Sequence, residues 1–200
     1  METYSLALNT KRLYDSKSQV FSSNLLRDIF EINKESSFFS TINRLVKAGV
    51  LTKLEKNKYI LSSSSISDFL IANFLYQPSY ISVETALNFH GVLSQFPYEI
   101  TSVTTKKTFK KNYERKRFSY LHIKNDLYWG FDKTNDSLIA SPEKALLDQL
   151  HFASKGLRGF PSDEYDLSTI DSGKLKEYAG HFPKTRQFLK LLKELKLWLP

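Results

Sequence analysis

The stretch from Ser36 to Leu61 reads SSFFSTINRLVKAGVLTKLEKNKYIL, and its periodicity changes halfway along. Phe38, Ile42, Leu45 and Val46 recur at spacings of four, three and one, which puts them on one face of a helix. Ser37, Ser40, Thr41, Arg44 and Lys47 fall on the opposite face, short hydroxyls and cations with no acid among them. Gly49 stands where that helix should stop, because glycine takes the left-handed conformation of a helix end without a Cβ penalty. Val50 to Leu54 and Lys58 to Leu61 then predict two strands. Glu55-Lys56-Asn57 turns between them, and Asn57 suits a positive backbone angle.

Upstream, a helix is expected from about Thr3 to Tyr14, with Leu6 and Leu13 on a weak apolar stripe. Gln19-Val20-Phe21 reads as a short extended piece. Ser22 or Ser23 is a good N-cap for a second helix to about Ile32, with Leu25, Leu26, Ile29 and Phe30 inward. Three helices and a lysine-tipped hairpin are the layout of a winged helix-turn-helix. On that reading the hydroxyls and Arg44 reach base edges in a major groove. Lys53, Lys56 and Lys58 reach phosphates, which give affinity with little sequence information. The plainer alternative is a solvated helix face beside an ordinary hairpin.

The chain has 200 residues, 41% of them hydrophobic, enough to build a packed core in one large or two small domains. Its net charge of +8 favours a polyanionic partner. The absence of cysteine excludes disulfides, thiolate metal ligation and a cysteine nucleophile. With no signal peptide or bilayer-spanning apolar run, a cytoplasmic location is expected, with no membrane partner. The charge is uneven. Within the second part, Lys106, Lys107, Lys110, Lys111, Arg115, Lys116 and Arg117 stand against the single acid Glu114, while the rest of that part is slightly acidic.

Ser62 to Ser65 reads as a linker or exposed loop, dividing a first domain at 1–65 from a second at 66–200. In the second, Ile66 to Leu75 predicts an apolar helix stopped by Pro78. Residues 78–82 read as a turn leading to a helix capped by Ser82 and closed by Gly91. Tyr98 to Thr105, Phe118 to Ile123, Leu127 to Phe131 and Leu138 to Ala140 read as strands, with Lys124-Asn125-Asp126 as a hairpin turn. Ser141-Pro142-Glu143 is a strong helix start: cap, proline at the first position, acid at the positive end. Asp171 or Ser172 starts another helix, and a last one runs from about Lys184 to Leu197. The expected class is α+β: an N-terminal winged helix-turn-helix followed by a mixed α+β domain.

PSYISVETAL at 78–87, His90-Gly91, TSVTT at 101–105, YWGF at 128–131 and ASPEKALLD at 140–148 occur in an order that resembles the AbiEi-type antitoxins of abortive-infection systems. The resemblance covers roughly Val20 to Tyr178. It implies a bacterial autorepressor that binds double-stranded promoter DNA of its own toxin–antitoxin operon. It also implies antagonism of a nucleotidyltransferase-like toxin in phage defence, often without a stable direct complex.

No catalytic constellation, cofactor site or metal site stands out. Glu84, Glu143, Lys144 and Asp148 can be drawn together as a polar site. Glu143 is better explained by the helix dipole, and Lys144 and Asp148, four apart, can pair on the surface. His90, His122, His151 and His181 show no ligand spacing. The segment Lys106 to Arg117 interleaves cations with Phe109, Tyr113 and Phe118. That suits phosphate contact with base stacking, or a solvated face whose rings pack inward. The competing class is an RNA-binding factor or an enzyme that uses the winged helix only for docking.

Overall fold

A computed structural model describes residues 2–62 and 65–195, with side chains from residue 5. Two compact units emerge, Met1–Ser67 and Asp68–Pro200, so the division falls two residues beyond the serine run. Ser63 and Ser64 of that run lie outside the described residues.

The first unit runs α1 (Glu2–Asp15), β1 (Val20–Ser22), α2 (Ser23–Phe30), α3 (Glu35–Lys47), β2 (Leu51–Glu55) and β3 (Lys58–Leu61). The three strands form an antiparallel sheet in the order β1-β3-β2. Leu13, Phe21, Leu26, Phe30, Phe38, Ile42, Leu45, Leu51, Tyr59 and Leu61 close the core. The α3 stripe is therefore the wall of that core, except that Val46 is only partly buried. Leu25, expected inward, is exposed, because it lies one residue round the helix from the buried Leu26. Ser22 is the cap of α2, its Oγ accepting from the Leu25 N–H at 3.2 Å. Gly49 holds φ +70°, and the Val50 N–H donates to the Leu45 carbonyl five residues back, which closes α3 in a Schellman-type end. Asn57 has φ +63° and is tied by Ser23, whose N–H donates to the Asn57 carbonyl at 3.0 Å.

The second unit contains a six-stranded mixed sheet. Its strands are β4 (Ser79–Ile81), β5 (Ile100–Thr104), β6 (Phe109–Tyr113), β7 (Lys116–His122), β8 (Phe131–Thr134) and β9 (Ser137–Ala140), in the order β6-β7-β5-β4-β9-β8. Helices α4 (Asp68–Leu75), α5 (Val83–Phe89) and α6 (Pro142–Ser154) pack on it, and α7 (Ser172–Ala179) and α8 (Arg186–Glu194) pack on α6. On β7, Tyr120 Oη donates to the Ala72 carbonyl of α4, while the adjacent Ser119 Oγ accepts from Arg158. Alternate strand residues face opposite ways, so α4 and Arg158 lie on opposite faces of the sheet.

Residues 79–81 are not a turn but a buried strand that pairs with β5 on one side and β9 on the other. Lys124 to Asp126 is no hairpin turn: a 3₁₀ turn occupies Asn125–Leu127, and the strand after it begins only at Phe131. Its partner β9 starts at Ser137, so the tight turn is Asn135-Asp136, both at positive φ. The C-terminal end of the last predicted helix, at Leu197, lies outside the described residues.

Candidate nucleic-acid interface

The polar face of α3 stands in solvent. Ser37, Ser40 and Lys47 are exposed; Thr41 and Arg44 are half-buried beside the stripe that anchors the helix. Sequence reasoning passed over Asn43, which is exposed between Ser40 and Lys47. Its spacing of three from Ser40 and four to Lys47 was the signal that could have found it. At the hairpin, Lys53 and Lys56 are exposed, and Lys56 sits on the turn itself. Lys58 differs from the expectation of a free phosphate contact. It is half-buried, its Nζ lies 2.8 Å from Glu55 Oε1, and burial lowers its pKa. Next to α3, the Arg27 guanidinium lies 4.1 Å from the Phe38 ring centroid, a cation–π contact that bridges α2 and α3.

In the second unit the basic segment is the β6–β7 hairpin, at the edge of the sheet. Residues 106–117 are exposed apart from Lys111 and Tyr113, which are half-buried. Burial lowers the Lys111 pKa. Lys110 engages Glu99 at 3.4 Å, and Lys116 engages Asp68 at 2.6 Å. Two of the hairpin's rings pack against the rest of the unit, although Phe109 stays 42% exposed. Phe109 stacks on Tyr76 with centroids 5.1 Å apart, and Phe118 is buried.

The suspected polar site does not assemble as drawn. Glu84 pairs with Arg158 at 3.5 Å, and Glu143 with Lys174 at 2.9 Å. Burial alone would raise the Glu143 carboxyl, but hydrogen bonds from Lys174, the Asp171 N–H and Ser141 outweigh it and hold the pKa low. Lys144 and Asp148 do meet, at i, i+4, yet in the core: both are 0% exposed. Tyr80 Oη and Ser82 Oγ each donate to Asp148 Oδ2 at 2.8 Å; Lys144 Nζ donates to Tyr80 Oη at 2.8 Å and to Asp148 Oδ1. The rings of Tyr80, Trp129 and Phe182 surround the ammonium at 5.2–5.3 Å. Burial lowers the Lys144 pKa, with Asp148 opposing, and raises that of Tyr80. The predicted cap Ser82 spends its hydroxyl on Asp148 and makes no capping bond to α5. The next residue, Val83, holds φ +58°, a strained position for a β-branched side chain. This network joins α6 to β4.

The four histidines stay apart in use. His90 Nε2 contacts the Ala140 carbonyl at 2.8 Å, His122 Nδ1 the Lys106 carbonyl at 3.0 Å, and His151 Nε2 the Lys155 Nζ at 2.8 Å, while His181 packs on Trp129. Among the described residues no group of three or more acids and histidines could hold a metal, and no helix is long and apolar enough to cross a membrane.

No protein-family model matches the chain, and no curated protein matches its sequence. The fold is similar to that in the crystal structure of the RV2827C protein from Mycobacterium tuberculosis, with a TM-score of 0.61 over 96% of this chain and 77% of that one. Sequence identity is 14%, so the likeness speaks to the fold alone.

Proposed function

We propose that the first unit is a winged helix-turn-helix that binds double-stranded promoter DNA, and that the chain is the antitoxin and autorepressor of a toxin–antitoxin operon. The observation that carries the DNA reading is the α3 face. Ser37, Ser40, Asn43 and Lys47 project from a helix whose other side is locked in the core, with Arg44 half-buried at the edge of the same face. A hairpin bearing Lys53 and Lys56 follows it directly. The order α1-β1-α2-α3-β2-β3, with β1 paired to β3, supports a recognition helix followed by a wing. Arg44 reads a guanine, Asn43 suits an adenine, and the wing lysines contact phosphates. The operon setting, and a nucleotidyltransferase-like toxin as the antagonised partner, rest on the AbiEi resemblance of the motifs from Pro78 to Asp148.

Arg44→Ala should weaken binding to the chain's own promoter by about 1–3 kcal/mol and relax base preference at one position. Lys53→Ala should weaken promoter and random duplex alike. Band-shift titrations on both DNAs check this. Equal losses on the two for Arg44→Ala would remove Arg44 from base readout, and no preference for the promoter in the wild type would end the repressor reading. Co-expression with the neighbouring toxin gene tests the antitoxin role independently of operator binding.

A further inference from the structure

The second unit leaves two large rings in water. Phe96 is 88% and Tyr98 100% exposed, the highest values among the described large hydrophobic side chains. They lie in the loop before β5 and line a cavity of about 320 Å³ with Leu93, Thr101, Glu99 and Arg158. Glu99 also lines a second cavity of about 280 Å³, whose other walls include Lys110, Lys111, Asn112 and Arg117. The two cavities therefore share a wall, aromatic on one side and cationic on the other. The acids at the junction are engaged: Glu99 by Arg158 at 2.8 Å and Lys110 at 3.4 Å, Glu84 by Arg158 at 3.5 Å.

We propose that this surface binds single-stranded nucleic acid, with unpaired bases stacked on Phe96 and Tyr98 and the sugar–phosphate backbone running over Lys111 and Arg117. Exposed rings offer a π-face to any base, and stacking tolerates sequence. A duplex keeps the faces of its bases stacked on one another, so these rings select strands whose bases are free. The cations beside them neutralise phosphates, which a purely apolar protein partner would not need. Asn112, next to Lys111 in sequence and paired with Arg117 across the hairpin, adds hydrogen bonds to a base edge or sugar. This site lies in the second unit and takes a different ligand from the duplex site proposed for α3, so the two stand or fall separately.

The test uses the full chain and three labelled probes followed by fluorescence anisotropy: an oligouridine of about 12 nucleotides, an abasic oligomer of the same length, and a duplex. Wild type should bind oligouridine more tightly than the abasic strand. Phe96→Ala and Tyr98→Ala should each weaken oligouridine by about tenfold, leaving the duplex unchanged. Lys111→Gln with Arg117→Gln should lower the slope of log affinity against log salt by about 0.7 for each phosphate that is no longer neutralised. Arg44→Ala should leave oligouridine binding intact. The proposal is overturned if oligouridine does not bind at low salt, or if the abasic strand binds as tightly. It also falls if the ring variants weaken duplex and single strand equally, which would make the surface an extension of the duplex site. Loss of oligouridine binding in Arg44→Ala would assign that binding to α3 instead.

Discussion

α3 and α6 are each thirteen residues long, and each carries polar side chains four apart, but they treat those side chains oppositely. α3 buries one stripe and offers Ser40, Asn43 and Lys47 to water. α6 is buried from Glu143 to Phe152, so its polar groups turn to partners inside the protein: Asp148 to Lys144, Tyr80 and Ser82, Glu143 to Lys174 and the Asp171 N–H, and Gln149 to the Gly159 carbonyl. The same i, i+4 spacing thus serves a solvated face in one helix and an internal polar network in the other. Spacing says which residues are neighbours; the elements packed on top decide the dielectric in which they meet.

The largest expected effect breaks the network on α6. Asp148→Ala leaves the Lys144 ammonium buried without its counter-ion and should cost about 3–5 kcal/mol of stability, read from urea denaturation of the full chain. The double change Lys144→Met with Asp148→Leu should recover most of that loss. If Asp148→Ala proves as mild as a substitution on the α3 face, the contrast between the helices collapses.

Next comes pH. Burial, with Lys155, Lys144 and Lys124 nearby, pulls His151 of α6 down to about 4. The unfolded chain takes up this proton near the ordinary value of about 6.5, before the folded chain does. Stability from this residue is therefore complete above pH 7 and falls as the pH drops from about 6.5 towards 4, by about 3 kcal/mol. His151→Gln should flatten that part of a stability-against-pH profile. An unchanged profile would show that His151 is already free to charge in the folded protein.

The smallest effect concerns what the helices share. Gly156 ends α6 as Gly49 ends α3: φ is +71°, and the Leu157 N–H donates to the Phe152 carbonyl five residues back. A Cβ at either glycine would meet nothing within 4 Å, so the cost is backbone conformation alone. Gly49→Val and Gly156→Val should each cost about 1–2 kcal/mol. Unequal costs in denaturation would sharpen the comparison, tracing the difference to how far each helix end can relax.

α3 was legible because its information is local. The stripe, the opposite face and the glycine stop all lie within fourteen residues, and the same spacing, carried on from Ser40, reaches Asn43. The Ser141 cap of α6 was legible for the same reason. What lay beneath α6 was not. By sequence Lys144 and Asp148 make a surface pair, because their other partners, Tyr80 and Ser82, are more than sixty residues away. Tyr80 sits on a strand of three residues that follows a proline, too short to show a period of two and punctuated like a turn. Phe96 and Tyr98 pose the converse difficulty: nothing in their immediate sequence tells an exposed ring from a core one.

The burial of Lys144 has a consequence for chemical modification. Surface amines react with acyl donors at once, whereas this one can be reached only when the second unit opens. Acylation at Lys144 therefore clocks opening of that unit at this one position, in a protein otherwise rich in accessible amines. A chain acylated there before folding carries a neutral, enlarged side chain opposite Asp148, and modification at that one position marks protein that had not yet closed its core.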